Sequence, residues 1–162
     1  MEPREPESTT IKNMTTSECL QLLSENYIGR LAYISGRTPH INPITFYHDA
    51  EEKCILSYSS PGFKIQAMKK HRPVALQVDD IRSIQEWRSV LVQGNFEELE
   101  GSTAKKQLHR FAEGVQRTIA KKDGETPKFI QDFSSRLQER HIPIVYRIHI
   151  TDIVGKSRRD QE

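Results

Sequence analysis

Two periods of hydrophobic and polar residues run along this chain, and the switches between them mark its elements. Thr15-Thr16-Ser17-Glu18 has the spacing of a capping box, and Cys19, Leu20, Leu22 and Leu23 follow it as an apolar stripe. A first helix is therefore expected from there to about Glu25. At residues 28–34 the period drops to two, with Leu31 and Tyr33 on one face. Ser35-Gly36-Arg37 turns that strand into a second one over residues 40–47, which makes a hairpin, and Asp49-Ala50-Glu51-Glu52 forms the next turn.

Further strand patterns lie at residues 54–59, 74–79, 87–99 and 144–150. The last is the cleanest: Ile144, Tyr146, Ile148 and Ile150 alternate with Val145, Arg147 and His149. Residues 63–71 read as a short helix whose last turn carries Lys69, Lys70 and His71, the charge sign that a helix C-terminus favours. Residues 102–121 read as a longer helix with Leu108, Phe111, Val115 and Ile119 on one stripe. After a break at Lys122-Asp123-Gly124-Glu125-Thr126-Pro127, the residues Phe129, Phe133 and Leu137 repeat that spacing. Residues 1–13 are rich in Pro, Glu, Ser and Thr and read as a flexible leader to a single domain over 14–159.

Six short, mostly antiparallel strands with helices inserted late point to a small barrel or a strongly bent sheet, α+β in class. A barrel of that size fills its interior with its own side chains, so a large cofactor must bind outside it, in a groove or at a subunit interface.

Composition narrows the partners. The chain has 162 residues, 35% apolar and 28% charged, with a net charge of +2, so no global field points to nucleic acid. The Lys69-Lys70-His71-Arg72 run reads as a solvated, dipole-compensating helix end. No window reaches the roughly 18 apolar residues of a membrane span, and Met1-Glu2-Pro3-Arg4-Glu5-Pro6-Glu7 lacks a signal-peptide core. A cytoplasmic protein with reduced Cys19 and Cys54 is expected, with neither nucleic acid nor membrane as a partner. His40 and His48 share strand parity, but eight residues at about 3.4 Å each separate them by roughly 27 Å on a straight strand, so no metal site is expected. Hydrolase elbows, paired zinc histidines and phosphate loops of the nucleotide-triphosphatase type are absent from the sequence.

One stretch does carry chemistry. Ser57-Tyr58-Ser59-Ser60-Pro61-Gly62-Phe63-Lys64 runs from a strand through a tight turn into a helix that opens with a lysine. Unpaired N–H groups, hydroxyls and an ammonium gathered at a helix start suit a phosphate. On its own Lys64 also reads as an ordinary solvated helix lysine, Ser57 and Ser59 as outward strand residues, Tyr58 as core, and Trp87, the only tryptophan, as a packing residue.

The order of motifs over roughly residues 14–159 resembles the FMN-binding split-barrel family, which includes pyridoxamine 5′-phosphate oxidase and the nitroimidazole-resistance proteins. The resemblance rests on Gly29-Arg30-Leu31-Ala32, on Pro39-His40-Ile41-Asn42-Pro43-Ile44-Thr45-Phe46, on Gly62-Phe63-Lys64, and on Glu86-Trp87-Arg88-Ser89-Val90 through Gly94. Ile150-Thr151-Asp152-Ile153-Val154-Gly155-Lys156 is similar to the closing strand of the nitroimidazole-resistance branch. The chain departs from relatives in that branch that carry His where it has Ser57, and it lacks the arginine-rich set of the true pyridoxamine phosphate oxidases.

The resemblance implies an α+β fold, a small antiparallel split β-barrel with peripheral helices, paired as a homodimer with FMN wedged between the subunits and a small-molecule substrate at that interface. Asn42, Pro43, Ile44 and Thr45 then lie along the isoalloxazine edge. Ser57, Tyr58 and Ser59 hold ribityl and phosphate oxygens, Phe63 and Lys64 close the phosphate site, and Trp87, Arg88 and Ser89 approach the flavin from the partner. The implied activity is that of a flavin-dependent oxidoreductase in which the flavin is the catalyst, so no side chain is singled out as an acid or base. The alternative is a non-catalytic flavin- or haem-binding module, with His71, His141 or His149 as axial ligand in the haem case.

Overall fold

Local signals fix the first helix. The Thr15 hydroxyl accepts from the Glu18 N–H at 3.1 Å while the Glu18 carboxylate accepts from the Thr15 N–H at 3.2 Å, closing the expected capping box. The structure, a computed structural model, describes residues 11–124 and 143–159. In chain order these form β1 (Lys12–Asn13), α1 (Thr16–Ser24), β2 (Ile28–Ser35), β3 (Thr38–Thr45), β4 (Tyr47–Asp49), β5 (Cys54–Ser59), α2 (Phe63–Lys70), β6 (Pro73–Ser83), β7 (Glu86–Glu98), α3 (Gly101–Asp123) and β8 (Ile144–Arg158).

The strands make one antiparallel sheet in the order β3-β2-β6-β7-β8-β5-β4, with β1 paired to β8. Its two terminal strands, β3 and β4, are separated in the chain by Phe46 alone, so the sheet has to curl until its ends meet. This is the split-barrel form of the α+β class. A bulge between Gln93 and Gly94, opposite the β8 segment from Asp152 to Ile150, supplies part of the bend.

Alternation then sorts the side chains into two cores. Leu31 and Tyr33 from β2, Leu76 and Val78 from β6, Val90, Val92 and Phe96 from β7, and Tyr146 and Ile148 from β8 fill the interior around Phe46. Leu22 and Leu23 of α1 and Ile65 and Met68 of α2 join the same core. Cys54 and Leu56 of β5 and Val145 of β8 point the other way and pack under Leu108, Phe111, Val115 and Ile119, the stripe of α3 expected from the sequence. The first turn of α3 is uncapped by side chains, and its end is set by Gly124 at φ 66°.

Two expectations need adjustment. The strand read over residues 40–47 is two strands broken at Phe46, which places His48 on β4, at the far end of the sheet order from His40. Lys12 and Asn13, the end of the stretch read as leader, pair with Ser157 and Lys156. The helical pattern of Phe129, Phe133 and Leu137 lies outside the described residues. Among the described residues no helix is long and apolar enough to cross a membrane.

Two outcomes follow from this packing. A methyl group at Gly94 lies 2.2 Å from the His149 carbonyl oxygen, a backbone atom that cannot swing aside. Gly94→Ala is expected to destabilise the protein by about 2–3 kcal/mol in urea melts, and an unchanged midpoint would refute the close β7–β8 crossing. His48 is buried and its Nδ1 sits 2.8 Å from Ser24 Oγ. Burial lowers its pKa below the usual 6.5, with the Asp49 carboxylate pulling weakly the other way. A depressed folded pKa gives stability that is full above the unfolded value and is lost as pH falls through the folded one. The wild type should therefore lose stability against His48→Gln as pH drops below about 6.5, and parallel curves would contradict a neutral buried imidazole.

Candidate functional site

β5 leads through Ser60-Pro61-Gly62 into α2, so the first residues of α2, Phe63 and Lys64, stand where the resemblance expects a phosphate. Lys64 is half-buried, burial lowers its pKa, and no carboxylate among the described residues pairs with it. A cation drawn partly out of water without a counter-ion is unfavourable, and an anionic ligand removes that penalty. Its neighbour Phe63 is 59% exposed, unusual for a phenyl ring.

Phe63 is one member of an aromatic group. Its ring meets His40 edge-on at 5.2 Å, and His40 stacks on Tyr33 at 5.4 Å with 13° between the planes. The Tyr33 hydroxyl donates to Asn42 Oδ1 at 3.0 Å, which ties the group to β3. Asn42 and Phe63 are thus brought together, with Tyr33 and His40 between them. Sequence reasoning passed over those two, although Tyr33 and His40 are paired positions of the β2–β3 hairpin and the hairpin was legible.

The other expected residues take different places. Ile44 is core. Pro43, opposite Arg30, and Thr45, opposite Ile28, fall on the outer sheet face. Ser57 is 1% exposed and its hydroxyl donates to the Thr45 carbonyl at 2.7 Å, so it fastens β5 to the end of β3. Beside it the Tyr146 phenol is driven up to about 12 by burial. Tyr58 faces α3, its ring edge-on to Phe111 at 5.4 Å. Ser59 is partly exposed, and its hydroxyl donates to the Ser60 carbonyl at 3.0 Å.

The β7 segment divides by parity. Trp87 and Ser89 point to the outer face, where Gln77 donates to the Ser89 hydroxyl at 2.9 Å and to Asp79 at 2.8 Å, and Arg30 pairs with Asp79 at 2.8 Å. Arg88 points to the opposite side and pairs with Asp80 at 2.9 Å and with Glu25 of α1 at 4.0 Å. That pairing holds the Asp80 carboxyl below its usual range. The outer face also exposes Ile34, Ile41, Leu91 and Val154.

Of the histidines considered for haem, His71 is exposed at the end of α2, His149 Nε2 contacts Glu97, and His141 lies outside the described residues. Among the described residues no group of three or more His, Cys, Asp or Glu is placed to hold a metal ion.

Comparison with known proteins places this geometry. An uncharacterised protein of Rhizobium meliloti is 33% identical over 89 residues, 55% of this chain and 58% of that protein, so the match spans little more than half of the relative's length. A crystal structure of an FAD-binding protein from Mesorhizobium loti superposes with a TM-score of 0.71 at 23% identity, covering 93% of this chain and 98% of the other. A candidate 5-nitroimidazole antibiotic resistance protein from Bacteroides thetaiotaomicron gives 0.64 at 12% identity, covering 94% and 93%. Both show the fold. A profile of the pyridoxamine 5′-phosphate oxidase family matches residues 15–157, nearly the whole described sheet, and the chain belongs to that family.

Proposed function

We propose that this chain binds FMN between two copies of itself and works in the cytoplasm as a flavin-dependent oxidoreductase on a small, flat substrate. The observation that carries the reading is Lys64, a half-buried ammonium with no carboxylate partner among the described residues, at the first turn of α2 beside an exposed aromatic ring. It suits a phosphate dianion, to which the Ser59 hydroxyl can add a donor.

β3 supports the rest. It is a terminal strand of the sheet and pairs on one side with β2, so half of its backbone N–H and C=O groups face outward. At residues 42–45 those groups can meet the polar edge of a flavin ring, while Phe63, His40 and Tyr33 supply an apolar flank. Ser57 keeps this edge in place through its bond to Thr45 rather than by touching ligand.

The exposed apolar residues of the outer face favour a second copy packed there, which would bring Trp87 and Ser89 of that face to the flavin of the other subunit, while Arg88, turned to the other side and paired with Asp80, braces the hairpin that carries them. When bound, the flavin supplies the electron transfer, and the chain binds it, orients it and keeps water from it. The relative from Mesorhizobium loti is described as FAD-binding, so the nucleotide tail is an outcome of the first test.

That test is the visible absorbance of the purified protein, followed by denaturation and chromatography of the released pigment. Twin flavin bands and released FMN are expected, with bleaching by NAD(P)H and recolouring by an organic acceptor. A flavin that bleaches with dithionite but turns nothing over would leave a binding module, and a Soret band would replace flavin by haem. Lys64→Ala is expected to weaken FMN binding by about 1.5–3 kcal/mol, roughly ten- to a hundredfold in Kd by fluorescence titration, and unchanged affinity would sink the phosphate assignment.

A further inference from the structure

A cleft of about 990 Å³ opens between the end of α1, β4 and one face of α3, and none of residues 42–45 or 57–64 lines it. Six cationic side chains and four carboxylates line it. Half of the cations are matched: Arg110 pairs with Asp49 at 3.0 Å, Arg88 with Asp80 at 2.9 Å, and Arg82 more loosely with Glu86 at 3.8 Å. Arg117, Lys121 and Lys122 have no carboxylate partner among the described residues. Among the described residues, Arg117 reaches only the Tyr47 hydroxyl, at 3.5 Å, and the Lys122 ammonium contacts the Asn26 amide oxygen and lies 5.8 Å from the centre of the Tyr27 ring.

Lys121 and Lys122 sit in the last turn of α3, where they also offset the helix dipole. Dipole compensation accounts neither for Arg117, a full turn earlier, nor for the concavity. The concavity depends on Gly114: a methyl group there would lie 2.3 Å from the Tyr47 ring, so any side chain would displace Tyr47 from the cleft wall. His48, on the floor, is kept neutral by burial and adds no charge, and Arg110 offsets the buried Asp49 carboxylate.

We infer that this cleft binds a small polyanion carrying adjacent phosphate or carboxylate groups. Arg117 and Lys121 stand at i and i+4 on one helix face, about 6 Å apart along its axis, a spacing that lets each engage a neighbouring anionic group of one ligand. Lys122 and Arg110 flank the pair. The site is independent of the flavin reading, sharing with those candidate residues only Arg88, whose charge is already committed.

Calorimetric titration of the purified protein, with whatever pigment it carries, by inorganic pyrophosphate and separately by citrate tests this. Saturable binding of either is expected, weakened by added salt, and the stronger of the two identifies phosphate or carboxylate as the anionic group. The double variant Arg117→Ala/Lys121→Ala should bind at least about tenfold more weakly while its thermal midpoint and pigment content match the wild type. Lys64→Ala should bind as the wild type does, which separates this cleft from the α2 site. Absence of saturable binding to both anions, equal binding by the double variant, or loss of binding in Lys64→Ala would each overturn the proposal.

Discussion

Closure of the sheet across one residue is the constraint on which the rest of this structure depends. β3 and β4 stand at opposite ends of the strand order, yet only Phe46 separates them. The Phe46 ring is wholly buried in the interior, and its N–H donates to the Tyr27 carbonyl at 2.8 Å. A flat sheet of these strands would hold its terminal strands several strand spacings of about 4.8 Å apart, so the chain can be satisfied only by a curled sheet. Burial of Phe46 is favourable by roughly 2–3 kcal/mol and is realised only when the ends come together.

The same closure builds the candidate site. Ser57 lies on β5 and Thr45 ends β3, and the bond between the Ser57 hydroxyl and the Thr45 carbonyl spans the seam where ladder pairing stops. A terminal strand with free backbone groups is an aggregation hazard unless something covers it. Here β3 meets α2 through the ring contact of His40 with Phe63 at 5.2 Å, and Lys64, without a carboxylate partner among the described residues, follows Phe63 in the first turn of α2. Each of the three alone has an ordinary structural explanation, and the proposed flavin would account for the strand edge, the ring and the charge together.

Sequence made legible whatever depends on near neighbours. The capping box at Thr15 and Glu18, the α3 stripe and the alternation of β8 are set by spacing within a few residues, and each stands where the pattern put it. The break at Phe46 left no such trace, because Ile44, Phe46 and His48 keep one parity through it and are all buried. The pairing of Lys12 and Asn13 with a strand more than 140 residues away was invisible for the same reason. At the site, the type of residue at position 64 was readable, but its lack of a carboxylate partner among the described residues is a fact about every neighbour at once. Alternation sends Ser57 and Tyr58 to opposite faces of β5, but that both faces are covered, one by the interior and one by α3, is set by the curled sheet and no window of sequence reports it.

A net charge of +2 hides how unevenly the charges are used. Arg30, Arg88, Arg110 and Arg147 are each matched by a carboxylate at 2.8–3.1 Å and act as fasteners between elements. Exposed pairs of this kind contribute little stability singly, but they fix geometry: Arg88, held between Asp80 and Glu25, sets the tip of the β6–β7 hairpin against α1. By strand parity that anchors Trp87 and Ser89 on the outer face. Among the described cations without a carboxylate partner, Lys64 on α2 is partly buried, while Arg117 and Lys121 on α3 are exposed and line the cleft. Desolvation works against the charge of Lys64, which solubility alone does not require at that place. Under the functions proposed for the two sites, an anion from outside the chain would meet the charge at each.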